Sequence, residues 1–140
     1  STDADFMVKV IDVYPEKFEY SKTARNYLKS DYPMSGYQLM IRGELFRGRF
    51  RKGFDNPLPF KPEEITPVNY TLYDVAHTFL PGHRLMIQIQ SSWFPIIDRN
   101  PQRFIDTYHC TVEDFVMKQK IKIYHQQGAA SRVILPVVKK

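Results

Sequence analysis

The chain has 140 residues, 43% hydrophobic and 14% aromatic, which is enough apolar content to bury a core and excludes general disorder. Its net charge of +5 admits an acidic partner, but the basic residues are scattered along the sequence, which argues against nucleic-acid binding. A single cysteine, Cys110, excludes an intramolecular disulfide, and no apolar run is long enough to cross a membrane as a helix.

Asp5 to Tyr14 reads as the first strand. Phe6, Val8 and Val10 face one way and Met7, Lys9 and Ile11 the other, so both faces carry apolar residues and the strand is expected to be central. Pro15 ends it. Glu16 to Gly36 has no clear period and reads as a long loop dotted with Tyr20, Tyr27 and Tyr32. Tyr37 to Phe46 is a second strand.

The run RGRFRKGF (Arg47 to Phe54) reads as a solvated strand end, because no series of stacking aromatics accompanies its charges. Four prolines between Phe54 and Pro67 impose an extended connection. Val68 to Val75 alternates as a further strand. Beyond the Pro81-Gly82 turn, Arg84 to Gln90 places Leu85, Ile87 and Ile89 on one face, which predicts that Ile87 and Ile89 are buried. Thr111 caps a short helical turn with Glu113 and Asp114 in it. Met117 to His125 and Val133 to Val138 complete a count of six to eight strands, which is an all-β sandwich pattern.

The stretch GHRLMIQIQSSWFPIIDRNPQRF, together with DFMVKVIDVYP, GELFRGRFRKGFDNP and the terminal VILPVV, resembles the X-prolyl dipeptidyl peptidase and cocaine esterase family. Within it the similarity is to α-amino acid ester hydrolases and glutaryl acylases. The resemblance spans nearly the whole chain and is to the C-terminal, non-catalytic domain of those serine hydrolases. It implies a galactose-binding-domain-like jelly roll with long loops and at most short helical turns. It also implies a partner, the α/β-hydrolase catalytic domain of the same chain, and a parent that hydrolyses or transfers an acyl group through an acyl-enzyme. A homo-oligomeric parent and a periplasmic or secreted location are compatible with it. The start at Ser1, just ahead of a strand, fits residues 1–140 being one domain taken from a longer polypeptide.

No catalytic residue is assigned. There is no G-x-S-x-G, since Ser35, Ser91 and Ser92 lack the flanking glycines. In the family that the chain resembles, the triad belongs to the α/β domain, and none of it carries over to a position here. His77, His83, His109 and His125 match no compact zinc spacing and read as structural histidines bonded to backbone, although His77 and His83 flank one turn and are able to meet. The acids Asp5, Asp12, Asp98 and Asp106 form no calcium loop, and Asp98 reads as capping its own turn. No metal and no cofactor are therefore expected. Trp93, Phe94, Tyr20, Tyr27 and Tyr32 are candidate sugar platforms, which makes a carbohydrate-binding module the alternative function. The preferred reading is a domain interface at Ser92, Trp93, Phe94, Pro95, Asp98, Arg99 and Asn100, because Trp, Phe and Arg are enriched in interface cores.

Overall fold

A computed structural model describes residues 1–21, 33–116 and 118–138. Three strands are hydrogen-bonded into one antiparallel sheet: β1 (Asp5–Val13), β2 (Gln38–Arg47) and β3 (Arg84–Gln90), in the order β2-β1-β3. The helical content among the described residues is two 3-10 turns, Gly48–Phe50 and Val112–Asp114. The expected turn at Thr111 is present, with the Asp114 carboxylate accepting from the Thr111 backbone N–H at 2.9 Å. Gly82 supplies the positive φ of +84° that the Pro81-Gly82 turn requires.

β1 is central, as its two apolar faces require. It pairs with β2 from Asp5 opposite Arg47 to Val13 opposite Gln38, and with β3 from Met7 opposite Gln90 to Val13 opposite Arg84. The β2 register shifts between Val10 and Ile11, which face Arg42 and Met40, leaving Ile41 as the extra residue of a bulge. Cross-strand partners share a face. One face therefore gathers Phe6, Val8 and Val10 with Phe46, Glu44, Arg42, Ile89 and Ile87. The opposite face gathers Met7, Lys9 and Ile11 with Leu45, Gly43, Met40, Gln90, Gln88 and Met86.

The proline-rich connection lies on the first face. The Phe60 ring meets Phe6 edge-on at 6.1 Å, and Tyr70 stacks on Phe46 at 4.9 Å. The Tyr70 hydroxyl donates to the Phe6 carbonyl at 3.3 Å, and the Arg42 Nε donates to the Tyr73 carbonyl at 3.1 Å. Burial pushes the Tyr70 phenol up to about 12, with the Glu44 charge adding to it.

Several expectations are corrected. Residues 68–75, 118–125 and 133–138 are not strands of the described sheet, because a strand-like sequence forms a ladder only where a sheet edge accepts it. Ile134, Val137 and Val138 are 80% or more exposed. β3 is an edge strand, and Ile89, at 40% exposure, is not the buried residue the alternation predicts; Ile87 is half-buried. Tyr27 and Tyr32 lie outside the described residues.

The buried centre is unexpectedly polar. Ala4, Met7, Ile11 and Val13 are its apolar part, and Asp3, Asp5, Asp12, Arg49 and Asn100 are buried with them.

Candidate docking site

The residues singled out for an interface follow β3 as one loop. The Gln90 side chain donates to the Ser92 carbonyl at 2.6 Å, and the Ser92 hydroxyl accepts from the Phe94 N–H at 3.3 Å. The Ile97 N–H then closes on the Trp93 carbonyl at 3.1 Å, across a cis peptide bond at Phe94-Pro95. These hydrogen bonds tie the loop to itself and to β3, and two of its apolar side chains stand exposed. Phe94 is 65% and Ile96 68% exposed, whereas Trp93 and Ile97 are half-buried. The Lys9 ammonium sits 6.0 Å from the Trp93 ring.

What holds this loop is the buried polar network. The Asn100 Nδ2 donates to Asp3 Oδ2 at 3.0 Å and to Asp5 Oδ1 at 2.7 Å, while its Oδ1 accepts from the Gln102 N–H at 2.7 Å. The Arg47 guanidinium grips Asp5 through two bonds of 3.1 Å and reaches Asp98 at 3.3 Å. The Arg49 Nε donates to Asp3 Oδ2 at 2.6 Å, and its other nitrogens donate to the carbonyls of Ile105 and Arg103 at 2.9 and 3.2 Å. Burial raises the Asp5 carboxyl above its ordinary value, and its bonds to Arg47 and Asn100 pull it partly back.

Three sequence readings are overturned here. The RGRFRKGF run is not a solvated end: Arg47 and Arg49 are side chains 17% and 11% exposed in ion pairs, and Arg51 donates to the carbonyls of Leu58 and Pro59. An arginine with a buried carboxylate within reach is held there, because leaving that charge unpaired costs far more than ordering the side chain. Asp98 pairs with Arg47 rather than capping its own turn, and Asn100 does the capping. Asn100, 6% exposed, is an anchor beneath the loop and not part of its surface. Ser92, Trp93, Phe94, Pro95, Asp98 and Arg99 remain the outer residues. The missed members are Asp3 and Arg49: the sequence shows like charges two residues apart, Asp3-x-Asp5 and Arg47-x-Arg49, but not that the two pairs meet.

The histidines also differ from expectation. His77 and His83 do meet, but on a carboxylate: His77 Nε2 is 2.9 Å from Asp12 Oδ2 and His83 Nδ1 is 2.8 Å from Asp12 Oδ1. His109 binds Asp106 at 2.6 Å, and this bond holds the exposed Asp106 carboxyl below its ordinary value. Among the described residues, no group of three or more His, Cys, Asp or Glu is placed to hold a metal ion. No helix there is long and apolar enough to cross a membrane.

Among the described residues, the aromatic candidates for a sugar platform, Tyr20, Trp93 and Phe94, fall into two separate groups. Tyr20 packs on Phe18, which contacts His83 just ahead of β3, whereas Trp93 and Phe94 follow its far end. Seven strand residues separate the two groups by roughly 20 Å.

Residues 1–134 match the model of the X-Pro dipeptidyl-peptidase C-terminal non-catalytic domain. The chain belongs to that family. It is 26% identical over 140 residues to a cocaine esterase of Rhodococcus sp. (strain MB1 Bresler), a match that covers all of this chain and 21% of the relative. It is also similar to the crystal structure of an aminopeptidase from a marine sediment archaeon, Thaumarchaeota archaeon. There the TM-score is 0.69 and the identity 40%, with 81% of this chain and 17% of that one covered. The chain thus spans about a fifth of the curated relative's length. The domain is a non-catalytic, C-terminal type found in larger hydrolases, and its strand-rich, almost helix-free structure is the all-β sandwich class expected from the sequence.

Proposed function

We propose that residues 1–140 form a single accessory domain that packs on the α/β-hydrolase catalytic domain of the same polypeptide and supports its active site or oligomer. The parent hydrolyses or transfers acyl groups from esters or amides through an acyl-enzyme. The observation that carries the reading is the Phe94–Arg99 loop, in which two large apolar side chains stand exposed on a base fixed by ion pairs and hydrogen bonds. A loop that was core would bury them, and a flexible surface loop would not be tied down from beneath.

The test is to produce the hydrolase domain separately and titrate it with this chain by calorimetry. Association is expected, weakened at least tenfold by the double substitution Phe94→Ala, Ile96→Ala. The chain alone should turn over no activated ester. Undiminished association of the double variant removes this face from the interface. Turnover by the chain that disappears on mutating one of its serines refutes the accessory role.

A further inference from the structure

Beside the loop lies an open hollow of about 360 Å³, lined by Ser91, Ser92, Arg99, Gln102, Val112 and Phe115. The Arg99 guanidinium lies 5.9 Å from the centroid of the Phe94 ring and 5.2 Å from that of Phe115, over each ring face. Among the described residues it makes no ion pair and no hydrogen bond, in contrast to Arg47 and Arg49, which are each fully engaged. A guanidinium stacked on aromatic faces is pre-oriented, and its planar fork matches a carboxylate through two parallel bonds. The second observation is independent of it. Gln102 is among the residues lining the hollow, and its Oε1 is buried from solvent without a donor. A buried acceptor without a partner is costly, so a donor that completes it is favoured.

The walls add a third requirement. Val112, 78% exposed, and Phe115 line the hollow together with Arg99, so an occupant must present apolar groups beside its charge. A fully hydrated anion does not meet that requirement, and an acidic residue within an apolar stretch of protein does. The net charge of +5 favours an acidic counterpart in the same direction.

We propose that the hollow receives an Asp or Glu of the hydrolase domain, set among apolar residues. Its carboxylate pairs with Arg99, and a neighbouring backbone N–H donates to Gln102 Oε1. This rests on the docking reading above and specifies the chemistry of the surface that docks. The pair would be enclosed by the Phe94 and Phe115 rings, where screening is weaker than on an open surface.

The experiment uses the polypeptide that carries both domains. The substitution Arg99→Lys places a primary amine in the hollow, and a zero-length carbodiimide then couples it to any carboxylate in contact. Peptide mapping by mass spectrometry, compared with the unsubstituted protein, is expected to show one new link from position 99 to an Asp or Glu of the hydrolase domain. In parallel, Arg99→Glu should weaken association of the separated domains at least tenfold, with the loss reduced at high salt. The unfolding midpoint of this chain alone should move by no more than the loss of two partly exposed cation–π contacts, about 0.5–1 kcal/mol each, because among the described residues Arg99 makes no ion pair. A link only to carboxylates within residues 1–140, or no new link, overturns the proposal. So does binding of free acetate in the hollow that the hydrolase domain does not displace. If Phe94→Ala, Ile96→Ala weakens association and Arg99→Glu does not, the docking face stands and the carboxylate counterpart falls. If neither substitution weakens it, both fall.

Discussion

Replacing Asn100 with alanine tests whether the loop is held by the buried network. Two of its bonds run to carboxylates that are 0% and 2% exposed, Asp3 and Asp5, and a third accepts the Gln102 N–H. Buried hydrogen bonds to charged groups are worth about 1.5–3 kcal/mol each and a neutral one about 1 kcal/mol. Neither acid is orphaned by the change, since Asp3 keeps Arg49 and the Ala4 N–H and Asp5 keeps both bonds to Arg47. The loss is therefore at the lower end of the sum, about 3–5 kcal/mol, against a total stability of about 5–15 kcal/mol for a domain. With a urea slope of about 2 kcal/mol/M, the midpoint followed by Trp93 fluorescence should fall by about 1.5–2.5 M. Asn100→Asp should be worse than Asn100→Ala at neutral pH, because it sets a third carboxylate against two buried ones. A midpoint that moves by less than about 0.3 M for Asn100→Ala, or an Asn100→Asp variant as stable as the parent, would refute the network as the loop's support.

Other positions give sharper local tests. In Gly48→Ala the new Cβ would collide with the Phe60 ring and lie 2.9 Å from the Ala4 carbonyl oxygen, so a cost of about 1–3 kcal/mol is expected by urea titration. Tyr70 has its phenol pushed up to about 12 from 10.0, so the fold favours the neutral form. The stability this provides is fully present below pH 10 and is lost as the pH rises through about 12. Tyr70→Phe should abolish that part of the alkaline loss, read as unfolding midpoints across the window. Asp12→Ala removes the acceptor shared by His77 and His83, the latter 3% exposed. A loss of about 2–4 kcal/mol is expected, or a Tm lower by roughly 10 °C. An unchanged Tm would mean that the two histidines do not depend on this carboxylate.

The three paired strands were legible because period-two alternation is a local property, visible in Phe6 to Ile11 and again in Leu85 to Ile89. The two-sided apolar pattern of β1 also foretold its central place. Pairing is not local. Residues 68–75 and 118–125 alternate in part and 133–138 is an apolar run, yet whether any of them forms a ladder depends on an accepting edge elsewhere. The polar network shows a similar limit: nothing near Arg47 and Arg49 announces Asp5 and Asp3, which lie 42 and 46 positions away. The meeting of His77 and His83 follows from the turn between them, whereas their target, Asp12, is 65 and 71 positions away.

The loop proposed to dock and the buried network beneath it are connected. An apolar loop that faces outward receives no support from its own side chains, so something else must fix it. Ion pairs and hydrogen bonds suit the task because they are directional, whereas apolar packing would draw Phe94 and Ile96 inward and close the surface. This accounts for a centre in which Asp3, Asp5, Arg49 and Asn100 occupy sites that Val or Leu would fill in an ordinary sandwich. It also sets the direction in which perturbations travel. Arg49 contacts no loop residue directly, but it shares Asp3 Oδ2 with Asn100, and Asn100 shares Asp5 with Arg47, which reaches Asp98. A substitution at Arg49 should therefore displace the loop through this chain of shared carboxylates, and weaken docking, before it unfolds the sheet.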